Sequence, residues 1–397
     1  MTEKEKATFI SSSISTLDQK DLLYRLLGSV IADNLSIAIW RMPNQNSSQL
    51  FIDFKQNREF EIEELENLSG GFVFAPFHEN DKKIYLKGEL QITFTDSGIK
   101  LNPLDTKEEY LRWLEKTLKY NSEIRLGNKN NSKSTSKSDY QGWVNAGIQG
   151  IMNGEFKKVV PARILVKDWK GNPIEIFNNL SRRYPNAFVS LTYTPQAGCW
   201  IGATPELLLS VDKNKIFRTA SLAGTKAFDN SVKLHNVTWT QKEIEEQAMV
   251  SRYIINCFKT IRLREFDEEG PMTIKAGNLV HLKTNFLVDM KNTNFLNLGS
   301  TMLRLLHPTS AVCGMPKEAA SRFLQKSENF DRGYFSGYLG PVNVEDETSI
   351  FVNIRCARLM ENNFIIFAGA GVTSYSEAES EWEETELKCK TLLDVMS

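Results

Sequence analysis

Strand-like runs follow one another along this chain with few helical segments between them, and that order limits the fold more than any other feature. In the first third, Leu35 to Trp40, Leu50 to Phe54, Phe72 to Phe77 and Ile84 to Thr95 are rich in β-branched and aromatic residues and are separated by polar loops. Further runs lie at Val159 to Val166, Phe188 to Tyr193, Leu207 to Val211, Leu279 to Met290, Ile350 to Leu359 and Phe364 to Ala370. Helical spacing is confined to Lys107 to Tyr120, Tyr140 to Met152, Thr240 to Thr260 and about Glu381 to Val395. Parallel neighbours need long crossovers, usually helices, so strands that succeed strands predict an α+β chain with large antiparallel sheets rather than a doubly wound one. No repeat recurs at a fixed period.

The 397 residues suit one large domain or two ordinary ones, and 41% apolar content can supply a sizeable core. Residues 127–139, GNKNNSKSTSKSD, are almost free of apolar side chains and read as a mobile connection. They divide residues 1–130, expected to complete the sheets, from residues 140–397, expected to carry the chemistry within one compact unit. With 48 basic and 49 acidic side chains the net charge is −1, so no global field draws in nucleic acid or an anionic membrane. The five cysteines are an odd number and none lies close to another in sequence, which argues against a disulfide framework or a cysteine zinc site. The start, MTEKEKATFI, is polar and charged, and no apolar run reaches the ~20 residues of a membrane helix. The expectation is a cytoplasmic protein with reduced thiols.

Four segments have the chemistry of a site. After the apolar run FIIFAGAG, helical spacing puts Glu381, Glu384 and Lys388 on one face. Paired carboxylates suit a hard cation such as Mg²⁺, and the lysine one turn on suits a substrate carboxylate; a solvated acidic helix start would look the same. Gly369 and Gly371 allow close backbone approach to an anion, but the dinucleotide fingerprint is incomplete because position 374 is Ser. Glu206 lies between Pro205 and an apolar strand, where burial would raise its pKa and make it a general acid, or where it is an exposed turn residue. Lys157 and Lys158 open a strand, so only one can face an interior site, as a base or as a charged strand edge. The four histidines form no metal motif, and His281 and His307 read as hydrogen-bonded structural residues.

Taken in order, these segments resemble the chorismate-utilising enzymes, and within them the isochorismate synthases, from about Tyr140 to Leu393. The matching stretches are Lys158 to Arg163, Ala203 to Glu206, Leu222 to Thr225, His281 to Thr284, Leu306 to Gly314, Phe330 to Gly333, Ile354 to Ala357, Gly369 to Val372 and Glu381 to Thr385 with Lys388. The resemblance implies two large antiparallel sheets flanked by helices, with the site in a cleft between them. It implies Lys158 as the base that activates water and Glu206 as the acid that protonates a departing hydroxyl. Glu246, Glu381 and Glu384 match residues that hold Mg²⁺, Arg355 and Lys388 match groups that grip carboxylates, and Thr225, His281, Gly369 and Gly371 match substrate-contacting positions. The implied reaction is a reversible shift of a hydroxyl on chorismate, with no partner beyond that small molecule, by a protein expected to be a monomer.

Within the family, aminodeoxychorismate synthases typically carry a nucleophilic lysine where this chain has Ala223, and ammonia-using enzymes usually lack a lysine at position 158. Water is therefore the implied nucleophile. Salicylate synthases share Lys158 and go on to eliminate pyruvate, so they remain an alternative, as does a chorismate-binding protein without activity. Isochorismate feeds menaquinone, catechol siderophore and salicylate synthesis. Phe335, Ser310, Gln247 and Pro161 depart from the usual pattern without removing a catalytic group. The first 130 residues have no clear tryptophan-binding signature.

Overall fold

The computed structural model describes Ile14 and residues 17–55, 58–102, 107–119, 123–127, 132–228, 233–276 and 279–396. Two antiparallel sheets face each other. The larger has nine strands, in the order Gly98–Asn102, Leu90–Thr95, Ser48–Asp53, Ser36–Arg41, Phe188–Thr194, Gly198–Thr204, Cys356–Leu359, Asn363–Gly369 and Ala162–Asp168. The other has eight, in the order Asp267–Ala276, Leu279–Asp289, Ile216–Ala227, Leu207–Val211, Thr348–Val352, Tyr338–Val342, Gly71–Ala75 and Ile84–Lys87. Helices Gln19–Ala32, Glu108–Lys119, Pro173–Arg183 and Ala378–Met396 flank the first sheet, and Gln241–Thr260 and Leu298–Leu306 flank the second.

Burial on both faces explains why the strands read as continuous apolar runs. In Ser36–Arg41, Ile37 and Ile39 pack toward the helices while Ala38 and Trp40 enter the core between the sheets. In Gly71–Ala75, Val73 and Ala75 face the helical layer and Phe72 and Phe74 face inward. Phe188 of one sheet stacks on Phe351 of the other with centroids 4.2 Å apart. Such a pair contributes about 1 kcal/mol beyond its area burial.

Four expectations need correction. The run Ile84 to Thr95 is two strands, Ile84–Lys87 at the edge of the eight-stranded sheet and Leu90–Thr95 in the nine-stranded one, separated by Gly88 and Glu89. The run Ile350 to Leu359 is two strands in different sheets, because the chain leaves Thr348–Val352, turns through Asn353 to Arg355 and enters Cys356–Leu359. Its residues are buried in both sheets, so the apolar pattern carries no sign of the crossing. The connection at residues 127–139 is ordered at its end: Thr135 donates its N–H to Ile164 O, and Ser136 caps the helix Lys137–Met152 by accepting from Asp139 N. Residues 128–131 lie outside the described residues. The strand expected over Val159 to Val166 is broken at Pro161 into Lys158–Val159, which pairs with Gly314–Met315, and Ala162–Asp168 in the large sheet.

Candidate active site

The break at Pro161 gives Lys158 a place of its own. Strand alternation sends Lys157 to solvent and Lys158 inward, where its side chain is 1% exposed. Lys158 Nζ donates to Glu246 Oε1 at 2.7 Å. Glu246 comes from the helix Gln241–Thr260, which opens with a capping box in which Glu243 bonds back to the Thr240 N–H.

Glu206 and Arg355 both stand where the chain passes from one sheet to the other. Gly198–Thr204 ends at Pro205, and Leu207–Val211 begins in the opposite sheet. The second crossing runs through Arg355, whose φ of 51° is left-handed. The two crossings are tied together: Val352 N donates to Glu206 O at 3.0 Å, and Ala203 N donates to Arg355 O at 3.1 Å. Burial raises the Glu206 carboxyl to about 7, against the opposing pull of Lys158, Lys388 and Arg355.

The C-terminal helix supplies the rest. Lys388 Nζ donates to Gly369 O at 2.8 Å and pairs with Glu384 at 2.7 Å. Glu381, one turn earlier, is 1% exposed, which rules out a solvated acidic helix start. Arg163 holds the helix to the sheet, with Nε bonded to Thr385 Oγ1 at 2.6 Å and the guanidinium 4.0 Å from the Trp382 ring centre. His281 Nδ1 lies 3.0 Å from Gly224 O, where a φ of +65° turns the Gly224 carbonyl at a bulge. Burial and the nearby Arg355 lower its pKa to about 4, so it is neutral at pH 7. His307 has the structural role expected of it, with Nε2 3.1 Å from Pro76 O.

These parts enclose a cavity of ≈ 210 Å³ between the sheets. Glu206, Glu246, His281, Arg355, Gly369, Gly371, Glu384 and Lys388 all line it. Lys158 reaches it beside Glu246 and Gly371. Glu381 does not line it. The backbone of Thr225 lies in the strand Ile216–Ala227, but its side chain is outside the described residues. Among the described residues no three His, Cys, Asp or Glu side chains are grouped so as to hold a metal. Two lining residues have no role legible from sequence. Arg332, 2% exposed, donates to Val160 O at 2.7 Å and Val312 O at 2.9 Å and pairs with Glu328, fixing two walls. Its signal was the segment Phe330 to Gly333. Glu243 pairs with Lys226 at 3.1 Å, and its only sequence signal was the capping box.

A family model described as chorismate binding enzyme matches residues 73–397. The chain belongs to that family. Its similarity to individual members is consistent with this. A vibriobactin-specific isochorismate synthase of Vibrio cholerae serotype O1 is 32% identical over 198 residues, 49% of this chain and 49% of that one. The chain thus spans about half the length of that relative. The isochorismate synthase DhbC of Bacillus subtilis is 29% identical over 272 residues, 65% of this chain and 67% of that one. The solved structure of MenF, the menaquinone-specific isochorismate synthase of Escherichia coli, has the same fold, with a TM-score of 0.72 at 18% identity over 96% of this chain and 92% of that one. Two antiparallel sheets flanked by helices are therefore the architecture of a chorismate-binding enzyme. No helix among the described residues is long and apolar enough to cross a membrane.

Proposed function

We propose that this chain is an isochorismate synthase, converting chorismate reversibly to isochorismate with water as nucleophile. One observation carries the reading: a carboxyl raised to about 7, Glu206, lies in the same cavity as the pair that buried Lys158 makes with Glu246. A hydroxyl shift needs a group that gives a proton and a group that takes one, with environments that set them apart. Glu206 is protonated in a large fraction of molecules near neutral pH and delivers its proton to the C4 hydroxyl as it leaves. Lys158, once it has given up its own proton, takes one from water attacking C2. One proton is gained and one lost, so the protein returns to its starting charge when the two groups re-equilibrate.

Arg355 and Lys388 bind the two carboxylates of the substrate. Lys388 is held for this by Gly369 O and Glu384, and Arg355 by Thr391 Oγ1 at 3.2 Å. Ala223 lines the cavity where family members that attack through a lysine carry one, in keeping with water as the nucleophile. Glu246 and Glu384, which both line the cavity, offer oxygen donors to Mg²⁺. Mg²⁺ commonly takes one or two carboxylates and completes its shell with water and substrate, so the donor set fits although no three-residue cluster is present among the described residues. Bound there, Mg²⁺ would supply positive charge at the ring carboxylate and draw electron density from the ring.

Lys158→Gln and Glu206→Gln test the assignment. Each should abolish isochorismate formation while leaving circular dichroism unchanged. Near-wild-type turnover in either variant would overturn the role given to that residue.

A further inference from the structure

The catalytic cavity has a neighbour. A second cavity of ≈ 470 Å³ shares Pro205, His281 and Arg355 with it as a common wall. Beyond that wall the charged lining is Arg183, Lys275, Lys390 and Asp394. With Arg355 this makes four cations against one carboxylate, and that carboxylate is bonded to Arg183 at 2.6 Å. Arg183, Asn186, Lys275 and Lys390 are exposed, so the second cavity opens to solvent. Lys275 Nζ lies 4.6 Å from the centre of the Phe228 ring, which helps hold it at the rim.

The catalytic cavity also reaches the surface at exposed Thr240, and there its charged lining is Glu243 and Glu246. The two approaches differ in sign. By the charges that line them, the approach at Thr240 is acidic and the second cavity is cationic. A cleft lined by one sign of charge concentrates the opposite sign and raises association rates, an effect that salt screens.

We infer that the second cavity is the vestibule through which a dicarboxylate substrate reaches the catalytic cavity, with Lys275 and Lys390 attracting it and Arg355 receiving it at the shared wall. The inference rests on chorismate being the substrate. It adds a binding region outside the catalytic cavity and two residues, Lys275 and Lys390, that touch none of the reacting groups. They set how often substrate arrives and leave its turnover unchanged.

The test reads arrival and chemistry separately. Association of chorismate with the full chain, in the presence of Mg²⁺, is followed by stopped-flow quenching of tryptophan fluorescence, and isochorismate is followed by chromatography. The double variant Lys275→Glu/Lys390→Glu should slow association at low salt by about tenfold, converge with wild type at high salt and keep kcat. Lys326→Glu, an exposed lysine lining neither cavity, should leave the association rate unchanged. A block of the path gives a second reading. The native cysteines are all buried, so a bulky maleimide will label an introduced Asn186→Cys selectively. That label should slow association strongly, and the same label at Lys326→Cys should not. A wild-type association rate in the double variant or in labelled Asn186→Cys overturns the vestibule. Absence of isochorismate from the wild-type protein overturns the proposed reaction instead, and the association rates still decide the vestibule.

Discussion

Gly371 lies against the side chain of Lys158. A Cβ at position 371 would be 3.0 Å from Lys158 Cε and 3.2 Å from Glu246 Oε1. The missing side chain therefore leaves the space in which the Lys158–Glu246 ion pair sits. Gly371→Ala should push Lys158 and Glu246 aside by a few tenths of an ångström. Misplacing reacting groups costs about tenfold to hundredfold in rate, so kcat should fall by that order. The melting temperature should change little by comparison. Wild-type kcat in the Gly371→Ala variant would show that the pair has room to adjust.

The raised pKa of Glu206 predicts a pH profile. As the acid it must be protonated, so kcat/KM should fall with unit slope above about pH 7. Stability follows the same sign. The native state holds this proton more tightly than the unfolded chain, whose ordinary value is 4.5. The favourable contribution is complete below that value and is lost as pH rises through about 7. Glu206→Gln, though inactive, should flatten the stability curve between those two pH values. Urea titrations of both proteins across that range would measure the difference.

The Lys158–Glu246 pair separates stability from activity. Glu246→Gln leaves a buried ammonium without its carboxylate and should cost about 3 kcal/mol. Lys158→Met leaves the Glu246 carboxylate unpaired instead, but that carboxylate is 22% exposed and partly hydrated, so the cost should be smaller than that of Glu246→Gln. Both variants should lose turnover. Denaturant melts alongside product assays would show whether the inactive Lys158→Met variant is indeed the more stable of the two.

Arg163 links the fold to the site through the C-terminal helix. Arg163→Ala removes the bond to Thr385 and the contact with Trp382, at a cost of about 3 kcal/mol. The helix it releases also carries Glu384 and Lys388, so KM for chorismate should rise by more than kcat falls. Kinetics at several substrate concentrations would resolve the two effects.

How much of this was legible in the sequence depended on whether the signal was local. Ser36–Arg41, Phe188–Thr194 and Gln241–Thr260 were readable because their pattern repeats residue by residue. The strand Tyr338–Val342 was missed because Gly340 and Pro341 interrupt its pattern, and Asp267–Ala276 because it is a charged edge strand with a Gly-Pro pair. The helix Gln19–Ala32 was missed although Asp18 caps it by accepting from Lys20 N and Asp21 N. In the site, spacing alone put Glu384 and Lys388 together and required one of Lys157 and Lys158 to point inward. It could not bring Lys158 to Glu246, 88 positions apart, or Glu206 to Arg355. The meeting of Glu206 with Arg355 depends on the two sheet crossings; the family resemblance put all four residues in one site but did not anticipate the Lys158–Glu246 pair.

The most direct test is chromatography of chorismate incubated with the purified protein and Mg²⁺, beside one sample containing a chelator and one containing ammonium. The account predicts isochorismate as the only product, in an equilibrium reached from either side, lost with the chelator and unaffected by ammonium. Unchanged chorismate, an aminated product, or salicylate with pyruvate would contradict it.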